Sequence, residues 1–343
     1  MTIESSSTHR SRLNRTLCLA PMLDRTDRHF RYFLRLISRH IVLFTEMVTA
    51  HALLRGRQDS LLEFHPAEHP LVFQIGGSEL KLLADCATIV EQAGYDEINL
   101  NVGCPSDRVQ QGRFGACLMR EPELVGDCVV AMQNRVAIPV TVKTRLGVDD
   151  QDNYEDVAGF IETVSAAGCR VFYMHARKAW LKGLSPKQNR NVPPLDYGMV
   201  RQLAVDFPDN EMIINGGIAS IDEIRQHLTE VDGVMIGRRV YDNPFFIHQA
   251  DQLLFGDSKT QPDRQQVLEH YMDYMCRQLE RGVTVHSMLR HILGLYHGQP
   301  GARQWRRQLI ENSRGQCGLD KSANLLKSLK TIGRGPSLGF FGK

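Results

Sequence analysis

Asn99-Leu100-Asn101-Val102-Gly103-Cys104-Pro105 carries an apolar strand into a Gly-Cys-Pro turn. Glycine frees the backbone there and proline cannot donate to a sheet ladder, so the strand stops and presents Cys104 at its rim. A cysteine meant only for packing belongs inside the strand, although burial is the usual fate of a free thiol. The residues that follow, Ser106 to Cys117, are polar, basic at Arg108 and Arg113, and punctuated by Gly112 and Gly115. That composition suits a loop closing over a substrate.

Seven similar β-rich runs surround this one: Leu17–Met22, Ile41–Met47, Leu71–Ile75, Val140–Arg145, Arg170–His175, Glu211–Asn215 and Gly233–Gly237. Between them lie helical periodicities at Leu80–Ala93, Glu121–Arg135, Tyr154–Ala167 and Ser220–Leu228. Strands alternating with helices predict a parallel sheet, and eight units predict a (β/α)8 barrel with its chemistry at the C-terminal strand ends. An open doubly wound sheet is the alternative, but no G-x-G-x-x-G fingerprint supports it.

Polar residues crowd those strand ends. Ala20-Pro21-Met22 closes the first strand, Glu46 the second, Gln74 the third, and Asn101 with Cys104 the fourth. Lys143 and Arg145 follow on the fifth, His175, Arg177 and Lys178 on the sixth, Asn215-Gly216-Gly217 on the seventh and Gly237-Arg238-Arg239 on the eighth. Singly, each has a bland reading: a solvated lysine, a core histidine, a glycine turn. Together they fit a flavin phosphate site, because glycine turns bring N–H groups close to an anion and Arg238 adds a charged fork. Lys143 suits the pyrimidine edge of such a ring, and Gln74 offers it both a donor and an acceptor.

The totals narrow the class. The chain has 343 residues, 42% hydrophobic and 23% charged, as an ordinary globular enzyme does. No apolar run approaches membrane-spanning length. Residues 1–15, rich in Ser, Thr and Arg, are expected to form a disordered tail, not a secretory signal. Eight cysteines without C-x-x-C spacing predict reduced thiols and a cytoplasmic protein. After residue 260 there are 13 Lys and Arg against 6 Asp and Glu, whereas the remainder is net acidic. A basic C-terminal module predicts a polyanionic partner. Helices are expected at Gln265–Arg281, Val285–Leu295 and Ala302–Ser313, the last with Arg303, Arg306 and Arg307 on one face.

Ala20-Pro21-Met22, Asn99 to Pro105, Lys143-Thr144-Arg145, His175-Ala176-Arg177, Asn215-Gly216-Gly217 and Ile236-Gly237-Arg238 together resemble the tRNA-dihydrouridine synthases, in that family's order. Leu184-Ser185-Pro186-Lys187-Gln188-Asn189-Arg190-Asn191-Val192-Pro193-Pro194-Leu195 is similar to the bacterial A subgroup in particular, and the resemblance covers residues 17 to about 330. It implies FMN-dependent reduction of uridine in the tRNA D-loop, at positions 20 and 20a, with NADPH (NADH being the alternative) as electron donor. Pro21, Met22 and Leu23 would line the flavin, Gln74, Lys143 and His175 contact it, and Asn215, Gly216, Gly217, Gly237 and Arg238 hold its phosphate. Cys104 would give the proton to C5 after hydride reaches C6, since a thiol of ordinary pKa, about 8.5, is protonated at neutral pH.

The uracil must leave its stack to reach such a site, so RNA needs a grip. Asn101 is expected to orient the base. Arg145, Arg177, Lys178, Lys187, Arg190, Arg303, Arg306 and Arg307 are the expected RNA contacts. The implied layout is a barrel at 16–258, a helical tRNA-binding domain at 259–332 and a flexible tail at 333–343, in a monomer with no obligate protein partner and no metal. Two rivals stay open: a free-pyrimidine flavoenzyme resembling dihydroorotate dehydrogenase, and a non-catalytic tRNA-binding protein.

Overall fold

A computed structural model of the protein describes residues 13–313. Eight parallel strands run through it: β1 Leu17–Leu19, β2 Leu43–Thr49, β3 Leu71–Gly76, β4 Glu97–Asn101, β5 Val140–Arg145, β6 Val171–His175, β7 Glu211–Asn215 and β8 Gly233–Ile236. From β2 to β8 each strand pairs with its neighbours in the chain, and β1 pairs with β8. Cys18 bridges Val42, and the Leu19 N–H donates to the Val42 carbonyl at 2.8 Å, so β1 also meets β2 and the sheet comes round on itself. This is the expected (β/α)8 barrel, and the doubly wound alternative falls.

The period-2 alternation of each strand sorts its side chains. Leu17, Phe73, Ile98, Leu100, Val142 and Ile214 belong to the large core shared with the helices. Cys18, Phe44, Val72, Tyr173, Ile213 and Met235 form a second, smaller core inside the barrel. Helices Leu80–Gln92, Pro122–Gln133, Tyr154–Ala166 and Ile221–His227 lie within two residues of their expected spans. Their starts are chemically marked: Asn153 accepts the Asp156 N–H at 2.8 Å, Ser220 accepts that of Glu223 at 3.2 Å, and Pro122 opens its helix. The segment after Cys104 is not an open loop. Asp107–Gln111 is a helical turn and Gly115–Arg120 a 3₁₀ turn.

Two boundaries differ from expectation. Arg15, placed in the disordered tail, is only 5% exposed and bonds the buried Glu97 carboxylate at 2.6 Å through Nη2. A charge so buried is held by its partner, so the ordered chain begins before residue 16. Residues 1–12 of that expected tail lie outside the described residues, as do 314–343, which include the rest of the helical module and the final tail. The helix from Val285 stops at Leu289, short of Leu295. Beyond it three-residue turns take over, with the His291 N–H on the Met288 carbonyl at 3.2 Å, while the Arg290 guanidinium and the His291 ring reach the Asp27 carboxylate.

Helix Arg264–Glu280 begins with a capping box between Asp263 and Gln266 and lies on barrel helix Arg28–Arg35. Tyr32 stacks on Tyr274 at 4.0 Å, Phe33 meets Tyr271 at 5.1 Å, and His29 Nδ1 is 2.8 Å from the Tyr274 hydroxyl. Full burial of side chains this size stabilises by about 2 kcal/mol each, against about 0–1 kcal/mol for an exposed ion pair. The seam between barrel and C-terminal helices is therefore held chiefly by aromatic packing. Among the described residues no helix is long and apolar enough to cross a membrane, and all seven cysteines are free.

Candidate active site

The register of the strands brings the expected polar residues to one rim. Asn101 lies beside Lys143, Arg145 beside His175, and His175 beside Asn215. Cys104 follows β4 directly, half-buried, with its turn held from below. Asn101 Oδ1 accepts the N–H groups of Gly103 at 3.2 Å and Cys104 at 3.0 Å. Cys104 Sγ is 3.5 Å from Ser106 Oγ, and the Cys104 carbonyl accepts the Ala116 N–H at 2.9 Å. Gly115 lies in the left-handed region at φ 77°, and a Cβ there would sit 2.6 Å from the Cys104 carbonyl oxygen. Only glycine closes this turn.

Beside the thiol, Lys143 Nζ donates to Asn215 Oδ1 at 3.2 Å, and Asn215 Nδ2 donates to the Met235 carbonyl at 2.7 Å. Burial, and then the neighbouring Arg145 charge, lower the Lys143 ammonium to about 7. Burial drives His175 well below its ordinary value, with Arg145, Lys143, Arg177 and Arg238 adding repulsion, so the imidazole is neutral at pH 7. The rim is a desolvated collection of positive charge that an anion would relieve.

The glycines divide into two kinds. Gly216 at φ 123° and Gly217 at φ 72° are demanded by the backbone, and a Cβ on Gly216 would lie 2.9 Å from His175 Cδ2. Gly237 is different: a Cβ there meets nothing closer than Ala20 at 3.5 Å, and its φ is negative. The space beside Gly237 is open, which fits a position approached by a ligand. Arg238, next in sequence, is exposed and among the described residues bonds the Arg190 carbonyl at 3.4 Å. Pro21 and Met22 are half-buried near this point, whereas Leu23 is 72% exposed. Gln74 is 1% exposed, and its amide bridges Asn99 and Asn101.

Several expected RNA contacts have other work. Arg145 is 4% exposed, and it donates through Nε to Gly103 O at 2.8 Å and through Nη1 to Lys178 O at 3.2 Å and Asn189 O at 3.1 Å. Three backbone carbonyls use up most of its donors, so it braces the loops after β4 and β6. Asn101, expected to orient the base, is 8% exposed and spends its amide on the Cys104 turn and Gln74. Lys178 Nζ pairs with Asp152 at 2.5 Å and lies 4.3 Å over the Trp180 ring. An ion-paired lysine is a poorer phosphate ligand than a free one. Arg177 donates to the Pro193 carbonyl, while its buried Nε has no partner among the described residues.

Lys187 and Arg190 are exposed. On helix Ala302–Ser313, Trp305 and Leu309 are buried while Arg303, Arg306 and Arg307 face solvent, as the spacing predicts. Among the described residues Arg307 has a loose 3.9 Å pairing with Glu311.

Sequence reasoning passed over three residues. Ser106 reaches Cys104 Sγ, and a hydroxyl two residues after the thiol was a readable signal. Asn189 is fully buried and folds its loop by donating from Nδ2 to the carbonyls of Trp180 at 2.9 Å and Leu184 at 3.1 Å. Arg25 lies 4.6 Å over the Tyr241 ring and adds its charge to that of Arg238 in depressing Arg190, where burial is the first cause.

The family model described as Dihydrouridine synthase (Dus) matches residues 18–330. The chain is 55% identical over 301 residues to a protein from Shewanella oneidensis named tRNA-dihydrouridine(20/20a) synthase, covering 88% of this chain and 90% of that one. Proteins of the same name from Escherichia coli K12 and Synechocystis are 56% and 52% identical over 296 and 297 residues, covering 86% and 87% of this chain and 86% and 89% of theirs. Among solved structures, a 2-naphthoyl-CoA reductase complex is similar at TM-score 0.55 and 8% identity, over 70% of this chain and 50% of that one. That likeness concerns the fold alone.

Proposed function

The chain belongs to the dihydrouridine synthase family, and from that premise we propose how its residues carry out the reaction. It reduces uridine in tRNA to 5,6-dihydrouridine. The finer reading is that it acts at positions 20 and 20a, with FMN as bound cofactor and NADPH as reductant, in the cytoplasm. The names of its relatives speak against the free-pyrimidine and non-catalytic alternatives. The observation that carries the residue assignment is the rim itself, where Cys104, Lys143, His175 and Asn215 stand on adjoining strands.

The donor set suits a flavin. Gly237 leaves open space, exposed Arg238 would fork onto a phosphate, and Lys143 with a value of about 7 would regain its charge beside an anionic ring edge. When bound, the flavin supplies hydride to C6 of the uracil. Cys104 gives the proton to C5 from Sγ, and Ser106 Oγ at 3.5 Å stands near enough to help orient the thiol. Lys143 and Arg145 both lie within electrostatic reach of Cys104. The Asn101 cap holds the sulfur's backbone in place through these changes.

The barrel at 16–258 is the catalytic unit and 259–332 the module that grips RNA. Exposed Lys187 and Arg190 on the barrel and Arg303, Arg306 and Arg307 on the module are the phosphate contacts, with Arg145 and Asn101 supporting the site from behind. Lifting a stacked uridine out costs a few kcal/mol, which these contacts offset. The experiment is cofactor release followed by mass-spectrometric mapping of tRNA treated with the protein and NADPH. We expect FMN and not FAD, and new dihydrouridine at 20 and 20a. A colourless protein that fails to take up added FMN would overturn the cofactor assignment.

A further inference from the structure

Beneath Cys104 a chain of polar side chains on β3, β4 and β5 runs through the barrel interior beside the apolar cluster, and its hydrogen bonds all point one way. Cys104 N–H donates to Asn101 Oδ1 at 3.0 Å, Asn101 Nδ2 to Gln74 Oε1 at 3.0 Å, and Gln74 Nε2 to Asn99 Oδ1 at 2.9 Å. Asn99 Nδ2 then donates to Thr141 Oγ1 at 2.9 Å, and the Thr141 hydroxyl to Glu97 Oε1 at 2.7 Å. Glu97, Asn99 and Thr141 are 0% exposed and Gln74 is 1% exposed. The Glu97 carboxylate also accepts from Tyr173 at 3.0 Å and pairs with the Arg15 guanidinium at the barrel floor.

An amide or hydroxyl is able to donate or accept, so a chain of them has no direction of its own. Its two ends settle the matter. A carboxylate only accepts, and a backbone N–H only donates. Because Glu97 accepts, Thr141 must donate to it and so is left to accept from Asn99. Asn99 must then turn its oxygen to Gln74, and Gln74 its oxygen to Asn101. Asn101 is thereby left with its oxygen, not its NH₂, toward Gly103 and Cys104. Buried chains of this kind also polarise one another and strengthen link by link.

We propose that Thr141 and Asn99 are positioning residues for Cys104, relaying the acceptor character of buried Glu97 up the barrel so that Asn101 holds the Gly103–Cys104 turn in one orientation. The proposal rests on the reading of Cys104 as the proton donor. With the relay cut at either residue, Asn101 is free to rotate and the turn loosens.

The test compares Thr141→Val, Asn99→Leu and the conservative Thr141→Ser in the protein as purified. Iodoacetamide labelling of Cys104, resolved by peptide mass spectrometry between about pH 6 and 9, reads the turn without using the reaction. Thr141→Val and Asn99→Leu should each label Cys104 about fivefold faster, and kcat for dihydrouridine should fall about tenfold with KM for tRNA unchanged. Thr141→Ser, which keeps the hydroxyl, should restore both. Asn99→Leu leaves Glu97 fully bonded, so it decides the matter if Thr141→Val fails to fold. Wild-type labelling and kcat in a folded Asn99→Leu protein would overturn the proposal, and so would Thr141→Ser behaving like Thr141→Val, which assigns the effect to packing. If Cys104→Ala made dihydrouridine at the wild-type rate, the proton-donor reading would fail, while the labelling would still judge the relay.

Discussion

The barrel rim and helix Ala302–Ser313 are both rich in positive charge, but they hold it differently. At the rim Lys143 and Arg145 are screened from water by neighbouring strands and loops, so burial changes their chemistry: Lys143 falls to about 7 and Arg145 to about 10. On the helix, Arg303, Arg306 and Arg307 are exposed and remain plain solvated charges. Desolvated charge is able to act on one bonded partner at short range, whereas solvated charge attracts any polyanion and weakens with salt. On the proposed reading the rim carries the chemistry and this helix part of the grip, so each can be perturbed without the other.

The largest expected effect tests the rim. Cys104→Ala should lower dihydrouridine formation by about 10²-fold or more, while flavin content, NADPH oxidation and tRNA affinity stay near wild type. Single-turnover assays with mass detection of dihydrouridine check this. Loss of tRNA binding alongside the rate would show that the two regions are not separate.

The helix gives the converse. Neutralising Arg303, Arg306 and Arg307 together should weaken tRNA binding and reduce the log–log salt slope by roughly two to three, about 0.7–0.9 for each phosphate no longer neutralised. The loose Arg307–Glu311 pairing is worth at most about a few tenths of a kcal/mol and does not remove that arginine from the set. Flavin reduction by NADPH should be unchanged. A triple variant that binds with wild-type affinity and slope would pass the docking role to Lys187 and Arg190.

The smallest effect sharpens the contrast. In the flavin-free protein Lys143 has a value of about 7 against an ordinary 10.5, so between these pH values the unfolded chain carries more protons and stability rises with pH. An anionic ligand at the rim reverses the preference. Flavin binding near pH 8 should therefore take up part of a proton, seen as a dependence of the calorimetric heat on the ionisation enthalpy of the buffer, and affinity should decline above about pH 7. Lys143→Met should abolish both trends. A buffer-independent heat in the wild-type protein would mean that Lys143 does not meet the flavin.

The outer faces of the strands were plain in the sequence because their apolar residues recur with period 2, and the Gly-Cys-Pro turn marked where β4 ends. The inner face was not. Glu97-Ile98-Asn99-Leu100-Asn101 alternates polar with apolar as a half-exposed strand would. Alternation separates two faces without saying which one is wet, and here the polar face is the dry interior. Arg145 and Lys178 misled for a related reason. A cation's residue type announces its charge, but only tertiary packing reveals whether carbonyls and carboxylates have already claimed it. Arg15 lay hidden because its partner, Glu97, is 82 residues away in the chain.

The aromatic seam between Arg28–Arg35 and Arg264–Glu280 has a geometric consequence. Swinging the C-terminal helices outward would expose Tyr271, Tyr274 and Phe33, each at most 2% exposed, so the offset between helix Ala302–Ser313 and the Cys104 rim is set by packing. If helix Ala302–Ser313 grips RNA as proposed, the molecule would work as a caliper with fixed jaws, and an RNA seated against one jaw would present to the other the nucleotide lying at the matching span.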